Sequence, residues 1–379
     1  MEFAPRIAMG PRVRKSPYFE ATKRYGVKSF TIYNHMFMPT GYTDPVDEYW
    51  SLVNDVTIWD VACERQIEIT GPDASRFAQY LTPRNLSRCA PGQALYVLLT
   101  GPDGGIINDA VLLRLREDQY WISPGDGDVL LWAQGAALNS GMKVTITEPD
   151  VSPLQICGPK SPQVLKTLFG DWALELKYYR LKETDVNGIP VVLARTGWSG
   201  EINYEIYLRD GSRGEELWER VMEAGKPYNI VPTGPSDIRR IEAGILNYGI
   251  DMTLENNPYE VGLGWQVEDQ DSDYMGKAAL ERIAEEGVSR KLVGMEIEGD
   301  PVDLNMARWP VSHEGREVGF VSSAVYSPRL EKNIGYAWVP AELAELGMGL
   351  TVSVPELGDC AATIVPRPFV DPKKEIPKS

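Results

Sequence analysis

Polar and apolar residues alternate along Gln66-Ile67-Glu68-Ile69-Thr70, the period of a strand with one buried face. Gly71-Pro72-Asp73 breaks the run, and Ala74 to Leu81 then reads as a helix with Asp73 placed to cap it. The same strand–turn–helix order returns at Pro153 to Cys157, Gly158 to Pro162 and Gln163 to Phe169. Between these, Ala94 to Thr100 and Ala110 to Leu115 form a hairpin-like pair around Gly101-Pro102-Asp103-Gly104-Gly105. Glu215 to Glu223 and Pro235 to Leu246 read as amphipathic helices. From about Lys291 the character changes. Leu292 to Ile297, Glu317 to Val321, Leu350 to Val354 and Ala361 to Val365 are short apolar strands separated by turns, as in a separate all-β module. A boundary near residues 285–290 divides the chain into 1–287 and 288–379.

Composition narrows the function. A net charge of −16 argues against a nucleic-acid or anionic-membrane partner, since both need a basic face. Met1 to Arg14 has no apolar core behind its arginines, and no uninterrupted apolar run is long enough to span a bilayer. A cytoplasmic protein is expected. Cys63, Cys89, Cys157 and Cys360 are far apart and read as reduced structural thiols. The 2 histidines, His35 and His313, make a Ser-His-Asp triad or a His-rich metal site improbable, so no metal is expected. The chemistry has to come from carboxylates, arginines, aromatics and an imported cofactor.

Three segments can carry it. In Gly104-Gly105-Ile106-Ile107-Asn108-Asp109, the glycines allow close backbone approach to a ligand, and Asp109 can accept a proton or bond a heterocycle nitrogen. The other reading is an ordinary hairpin with a solvated Asp. In Arg195 to Tyr207, Trp198, Tyr204 and Glu205 crowd together. The aromatic pair can hold a methylated cation, and Glu205 can accept paired N–H donors; the alternative is packed aromatics beside an exposed Glu. In Ser236 to Gly244, Arg240 can reach an anionic tail or act structurally. Arg240 and Glu242 are too close in sequence to share a helix face, so they serve different neighbours.

In this order, these segments resemble the glycine-cleavage T-protein (aminomethyltransferase) superfamily of folate-dependent one-carbon transferases. Ile69-Thr70-Gly71-Pro72-Asp73-Ala74, Arg195-Thr196-Gly197-Trp198-Ser199-Gly200-Glu201, Arg240-Ile241-Glu242-Ala243-Gly244, Met275-Gly276-Lys277 and Asn333-Ile334-Gly335 extend the likeness over nearly the whole chain. The resemblance implies an α+β, three-lobed fold: two mixed α/β folate-binding lobes, interleaved in sequence, and a C-terminal β-barrel or jelly-roll-like module. It implies tetrahydrofolate as co-substrate in a central channel. Asp109 matches the family's catalytic Asp and Glu205 its pteridine-binding Glu, while Tyr96 and Trp121 fall where folate contacts are expected.

The chain departs from true T-proteins at Asn108, at Asp60-Val61-Ala62-Cys63-Glu64-Arg65 and at Ser236, which replaces a folate-touching arginine. Docking of a lipoyl carrier protein is therefore not expected; a homodimer is an open possibility. Tyr33-Asn34-His35-Met36, Asp60 to Gln66 and Gly197-Trp198-Ser199 are similar to the dimethylsulfoniopropionate demethylase branch. Gly200-Glu201-Ile202-Asn203 replaces that branch's Lys-Gln-Gly-Gly-type loop, which should line the substrate pocket. The resemblance implies methyl transfer from a small donor to folate N5, a sulfonium being favoured. Trp198 and Tyr204 would hold its cation, Asp109 would orient the pteridine, and Glu205 would fix the ring. A methoxylated aromatic acid or methylated amine is the alternative donor; for an aryl ether, Tyr33, His35 and Arg65 would stabilise the leaving group. Two further alternatives are glycine-cleavage aminomethyl transfer and non-catalytic folate binding, the latter lacking its K-G-C-x-x-G-Q-type motif here.

Overall fold

A computed structural model describes residues 10–138, 140–355 and 357–379. The reading of Met1 to Arg14 rests largely on residues 1–9, which lie outside the described residues. Three β-layers organise the chain.

The first is a five-stranded antiparallel sheet in the order Gln93–Thr100, Ile106–Arg116, Gln119–Pro124, Ile67–Thr70, Thr145–Thr147. Helices Ala74–Tyr80 and Val129–Leu138 cover one face, packing Phe77, Val129 and Ala133 on Ile67, Ile69, Val97, Leu99, Leu112 and Ile122. The second is a six-stranded sheet in the order Leu181–Val186, Ile189–Ala194, Asn203–Leu208, Ser152–Cys157, Thr57–Asp60, Val231–Pro232. Its outer face is buried by helices Phe19–Arg24, Ser161–Phe169 and Gly214–Gly225. Thr57–Asp60 belongs to the second sheet although it precedes the whole first one in sequence. The third layer is a closed barrel of Arg290–Ile297, Lys332–Pro340, Arg316–Ser327, Trp309–His313, Gly349–Val354 and Gly358–Val365. The C-terminal module is thus a closed barrel. Closure removes its exposed strand edges.

The uncovered faces of the two open sheets meet. Ala94, Leu113 and Trp121 of the first pack against Val192, Ala194 and Tyr207 of the second. Side chains alternate between faces along each strand, so each sheet buries one set under its helices and the other between the lobes.

Local readings and structure differ in instructive places. Asp73 stands before its helix but does not cap it; its carboxylate accepts from Lys143 N at 2.7 Å instead. The helix expected over Pro235 to Leu246 is only Asp237–Glu242, because Gly244 turns left-handed at φ +71 behind it. Its N-cap is Ser236, whose Oγ accepts from Arg239 N at 3.3 Å. The pattern alone does not predict the barrel strands Trp309–His313 and Lys332–Pro340. Both carry a Pro, a Trp or a Gly that blurs alternation. The four cysteines are free and buried.

Candidate active site

Asp109 lies within strand Ile106–Arg116, not at its edge. The strand begins earlier than the pattern suggested because Gly101 to Gly105 closes a tight turn, with Gly101 N bonded to Gly105 O at 2.8 Å. A Cβ on Gly105 would meet Leu254 O at 2.4 Å, so only glycine fits there. Alternation turns Asp109 away from the helix-covered core and toward the facing lobe.

Tyr96 sits opposite Val111 on the neighbouring strand, and its hydroxyl donates to Asp109 Oδ2 at 3.0 Å. Asp109 Oδ1 receives no hydrogen bond from another described side chain. Burial pushes the Asp109 carboxyl up to about 6; the Tyr96 hydrogen bond opposes this and the Asp251 charge adds to it. Gly125 passes close by: a Cβ there would lie 3.2 Å from Asp109 Oδ1. Asn108, on the opposite face, secures that approach by accepting from Gly125 N at 2.7 Å and donating to Asp126 O at 3.0 Å.

A hairpin, Ser29–Tyr33 with Met36–Gly41, closes one side of this chamber. Asn34 pins it: its backbone N–H donates to Asp126 Oδ1 at 2.8 Å, and its Oδ1 accepts from Gly127 N at 2.7 Å. Tyr33 is thereby brought toward Asp109. Burial first, then the charges of Cys63, Asp109 and Glu64, hold its phenol well above the ordinary range. Tyr248 closes another side, donating to Ile106 O at 3.0 Å, with its phenol pushed up to about 12 by burial and by Asp109. Arg367 of the C-terminal segment brings a buried guanidinium within the field of Tyr96 and Asp251.

The second lobe contributes Glu205. It shares a face with Tyr207 and Ala194, opposite the face that carries Tyr204 and Ile206. Glu205 Oε2 accepts from the Thr196 hydroxyl and from Tyr207 OH, the latter at 2.7 Å. Its carboxyl is raised by burial against those two bonds.

Other expected site residues are placed differently. Tyr204 is packed in the helix-covered core of the second lobe, so the expected Trp198–Tyr204 cage does not form. The reason is the two-residue period of Asn203–Leu208, which sends Tyr204 and Glu205 to opposite faces. Trp198 instead packs against Leu52, Trp59, Val61 and Cys157, with the Arg240 guanidinium over its ring at 5.6 Å. Trp121 is fully buried, donates to Glu68 Oε2 at 2.8 Å and lies 5.9 Å from the Tyr207 ring. It pairs with Leu113, four residues along the strand from Asp109, hence about 13 Å away by strand rise.

Arg240 is also committed elsewhere. It contacts Asp237 at 2.6 Å, Asp251 at 2.8 Å and Ser323 Oγ of the barrel at 2.9 Å. Glu242 accepts from Tyr49 and Ser327, so the two residues do serve different neighbours. His35 is exposed at the hairpin turn, 3.2 Å from Asp128, on the rim of a cavity of about 250 Å³ that Arg65 also lines. Arg65 is held by Glu148 through Nε and Nη2. In the divergent loop, Glu201 is buried against Arg239 at 2.7 Å, while Gly200 and Asn203 line a small cavity with Tyr178 and Lys374.

Residues 18–270 match the GCVT N-terminal domain family model, and residues 290–371 match the glycine cleavage T-protein C-terminal barrel domain. The chain belongs to the glycine-cleavage T-protein family. It is 39% identical to dimethylsulfoniopropionate demethylase DmdA of Ruegeria pomeroyi, over 91% of this chain and 94% of that one. It is 31% identical to the aminomethyltransferase of Halothermothrix orenii, over 90% and 96% of the two chains. The crystal structure of aminomethyltransferase T from Bartonella henselae superposes with a TM-score of 0.85 at 22% identity, covering 94% of this chain and 98% of that one. As a T-protein family member the chain is a tetrahydrofolate-dependent one-carbon transferase.

The donor set fits such a co-substrate. Asp109 and Glu205 face the space between the lobes, and each keeps a carboxylate oxygen that no other described side chain bonds. Among the described residues no cluster of His, Cys, Asp and Glu could hold a metal, and no helix is long and apolar enough to cross a membrane. Tyr207, Thr196, Tyr248 and Arg367 were missed in the sequence. For Tyr207 the signal was available: it stands two residues from Glu205 and so shares its face.

Proposed function

We propose that this enzyme takes a methyl group from a small sulfonium donor of the dimethylsulfoniopropionate type. The observation that carries the reading is Asp109: a carboxylate tied at one oxygen by Tyr96, with its other oxygen bonded by no other described side chain. The 39% identity to a dimethylsulfoniopropionate demethylase supports the choice of donor. Tetrahydrofolate supplies the N5 nucleophile that receives the methyl as the C–S bond breaks and its electron pair leaves on a neutral thioether. Such a leaving group needs no acid, which suits a chamber with no histidine.

The chain's own work is positioning and electrostatics. Asp109 Oδ1 takes up the proton released at N5, directly or through one water. A carboxyl with its pKa near 6 is ionised at neutral pH and still basic enough to hold that proton. Tyr96 fixes which oxygen faces the ligand. Glu205 holds the ring edge, with Thr196 and Tyr207 fixing its own orientation. On the donor side, Trp198 already carries the Arg240 cation over its ring and Tyr204 is packed under the helices, which leaves Tyr33, beside Asp109, to face a sulfonium.

Aminomethyl transfer is the second reading, favoured by the names of the relatives near 30% identity. Incubation with tetrahydrofolate and a panel of donors separates them. Formation of 5-methyltetrahydrofolate from a methylated sulfonium supports the first. Formation of the 5,10-methylene form with ammonia release from an aminomethylated carrier supports the second. A methoxyaromatic acid as the sole productive donor would move the reaction to O-demethylation.

A further inference from the structure

The chamber holds a third carboxyl, Glu64, that the reaction above does not use. Glu64 ends the turn Ala62–Glu64, and its Oε2 accepts from Ser123 Oγ at 2.5 Å. Ser123 is itself fixed by Gln66 Nε2 at 2.8 Å, and it stands opposite Val111, on the face that Asp109 turns toward the other lobe. Tyr207 donates to Glu205. Each carboxyl thus takes the single proton of a neighbouring hydroxyl, Glu64 from Ser123 and Glu205 from Tyr207, on the face between the lobes. Beside Ser123, fully buried Gln66 leaves its Oε1 without a partner among the described residues.

Neither carboxyl has a counter-ion among the described residues. This separates them from Glu201, Glu242 and Asp251, which are buried beside arginines. The groups facing the pair are Tyr33, Cys63 and Asp126 on the Glu64 side, and Tyr207, Tyr178 and Tyr179 on the Glu205 side. None is a cation. Two carboxylates in one low-dielectric space cannot both stay ionised without one, so the pair holds a proton. Glu205 accepts two hydroxyl donors and Glu64 accepts one, which leaves the charge on Glu205 and the proton on Glu64. Burial and the Glu205 charge push the Glu64 carboxyl up in the same sense.

We infer that Glu64 is a positioning residue for the folate ring: as a neutral carboxyl beside ionised Glu205, it completes a donor-and-acceptor pair. A 2-amino-4-oxo pyrimidine edge offers N–H donors next to a carbonyl acceptor. An ionised carboxylate answers the first and a protonated carboxyl the second. Two ionised carboxylates would repel that carbonyl, and one carboxylate alone would leave it unpaired. The inference rests on the folate reading and names the group that would make the chamber select this edge.

The test is titration of the full-length enzyme with 5-methyltetrahydrofolate, followed by tryptophan fluorescence, for wild type, Glu64→Gln and Glu64→Met, with melting curves as a control on folding. Gln supplies a permanent neutral donor and acceptor, so E64Q keeps affinity within about threefold, whereas E64M loses about tenfold or more. Wild-type affinity falls relative to E64Q as pH rises, because only wild type can lose the proton. Equal affinity in a folded E64M overturns the inference. An E64Q loss as large as that of E64M also overturns it, by requiring charge at Glu64. Absence of binding by the wild type would instead overturn the folate reading itself.

Discussion

Two groups of buried carboxylates stand side by side in this molecule and are treated differently. At the junction with the barrel, Asp251 receives Arg240, Ser322, Ser323 and the backbone N–H of Asn247. Glu201 receives Arg239, and Glu242 receives Tyr49 and Ser327 with Arg239 at 3.6 Å. In the chamber, the side chains that bond Asp109, Glu64 and Glu205 are hydroxyls, and among the described residues none is an arginine. Burying an ion costs several kcal/mol unless it is compensated. The junction compensates within the chain; the chamber leaves part of that task to a ligand. The same residue type thus joins lobes in one place and waits for chemistry in the other.

The largest effect that could break this contrast is at Asp109. Asp109→Ala should lower turnover with the productive donor by about 10²- to 10⁴-fold, the usual range for a lost general base. Stability should hold or rise. A carboxyl whose folded pKa is raised contributes stability at low pH and loses it as pH rises through about 6, so at neutral pH the ionised group is a cost. Full activity in a folded D109A would remove Asp109 from the mechanism.

Arg240→Met should do the reverse. It leaves Asp251 buried without its cation, costing about 3–5 kcal/mol in denaturant unfolding. A loss well under 1 kcal/mol would mean that the junction pair is not structural.

The third check is the pH profile. Activity should decline as pH drops below about 6, where Asp109 takes a proton and can no longer accept one. Tyr96→Phe removes a bond that lowers this pKa, so the acid limb should move to higher pH. An unmoved limb would assign it to another group. The smallest effect concerns the ring that the fold took out of the site. Tyr204→Phe should change the donor KM by less than about twofold, whereas Tyr207→Phe, which frees Glu205, should weaken folate by about 1 kcal/mol or more.

The elements that sit in one layer were legible in the pattern. Gln66 to Thr70 and Pro153 to Cys157 read as strands and are strands, and the helix after each begins within two residues of its expected start. Where the reading failed, a distant partner had intervened. Asp73 looked like a cap until Lys143 N claimed its carboxylate. Trp198 and Tyr204 looked like a pair because they are six residues apart in the chain, yet the strand's alternation and the Arg240 side chain separate them. Arg240 looked free because nothing local shows Asp251 and Ser323 beside it.

By itself, then, the sequence determined the family, the type of each strongly periodic segment, the scarcity of histidine and the choice of Asp109 and Glu205 as site residues. Those follow from local periodicity, composition and residue order. Only the tertiary structure decided which faces of the two sheets meet, and therefore which carboxylates are buried without a cation and which are paired. A side chain's charge state is set by what surrounds it in space, and for Asp109, Glu64 and Glu205 those surroundings come from segments far apart in the chain.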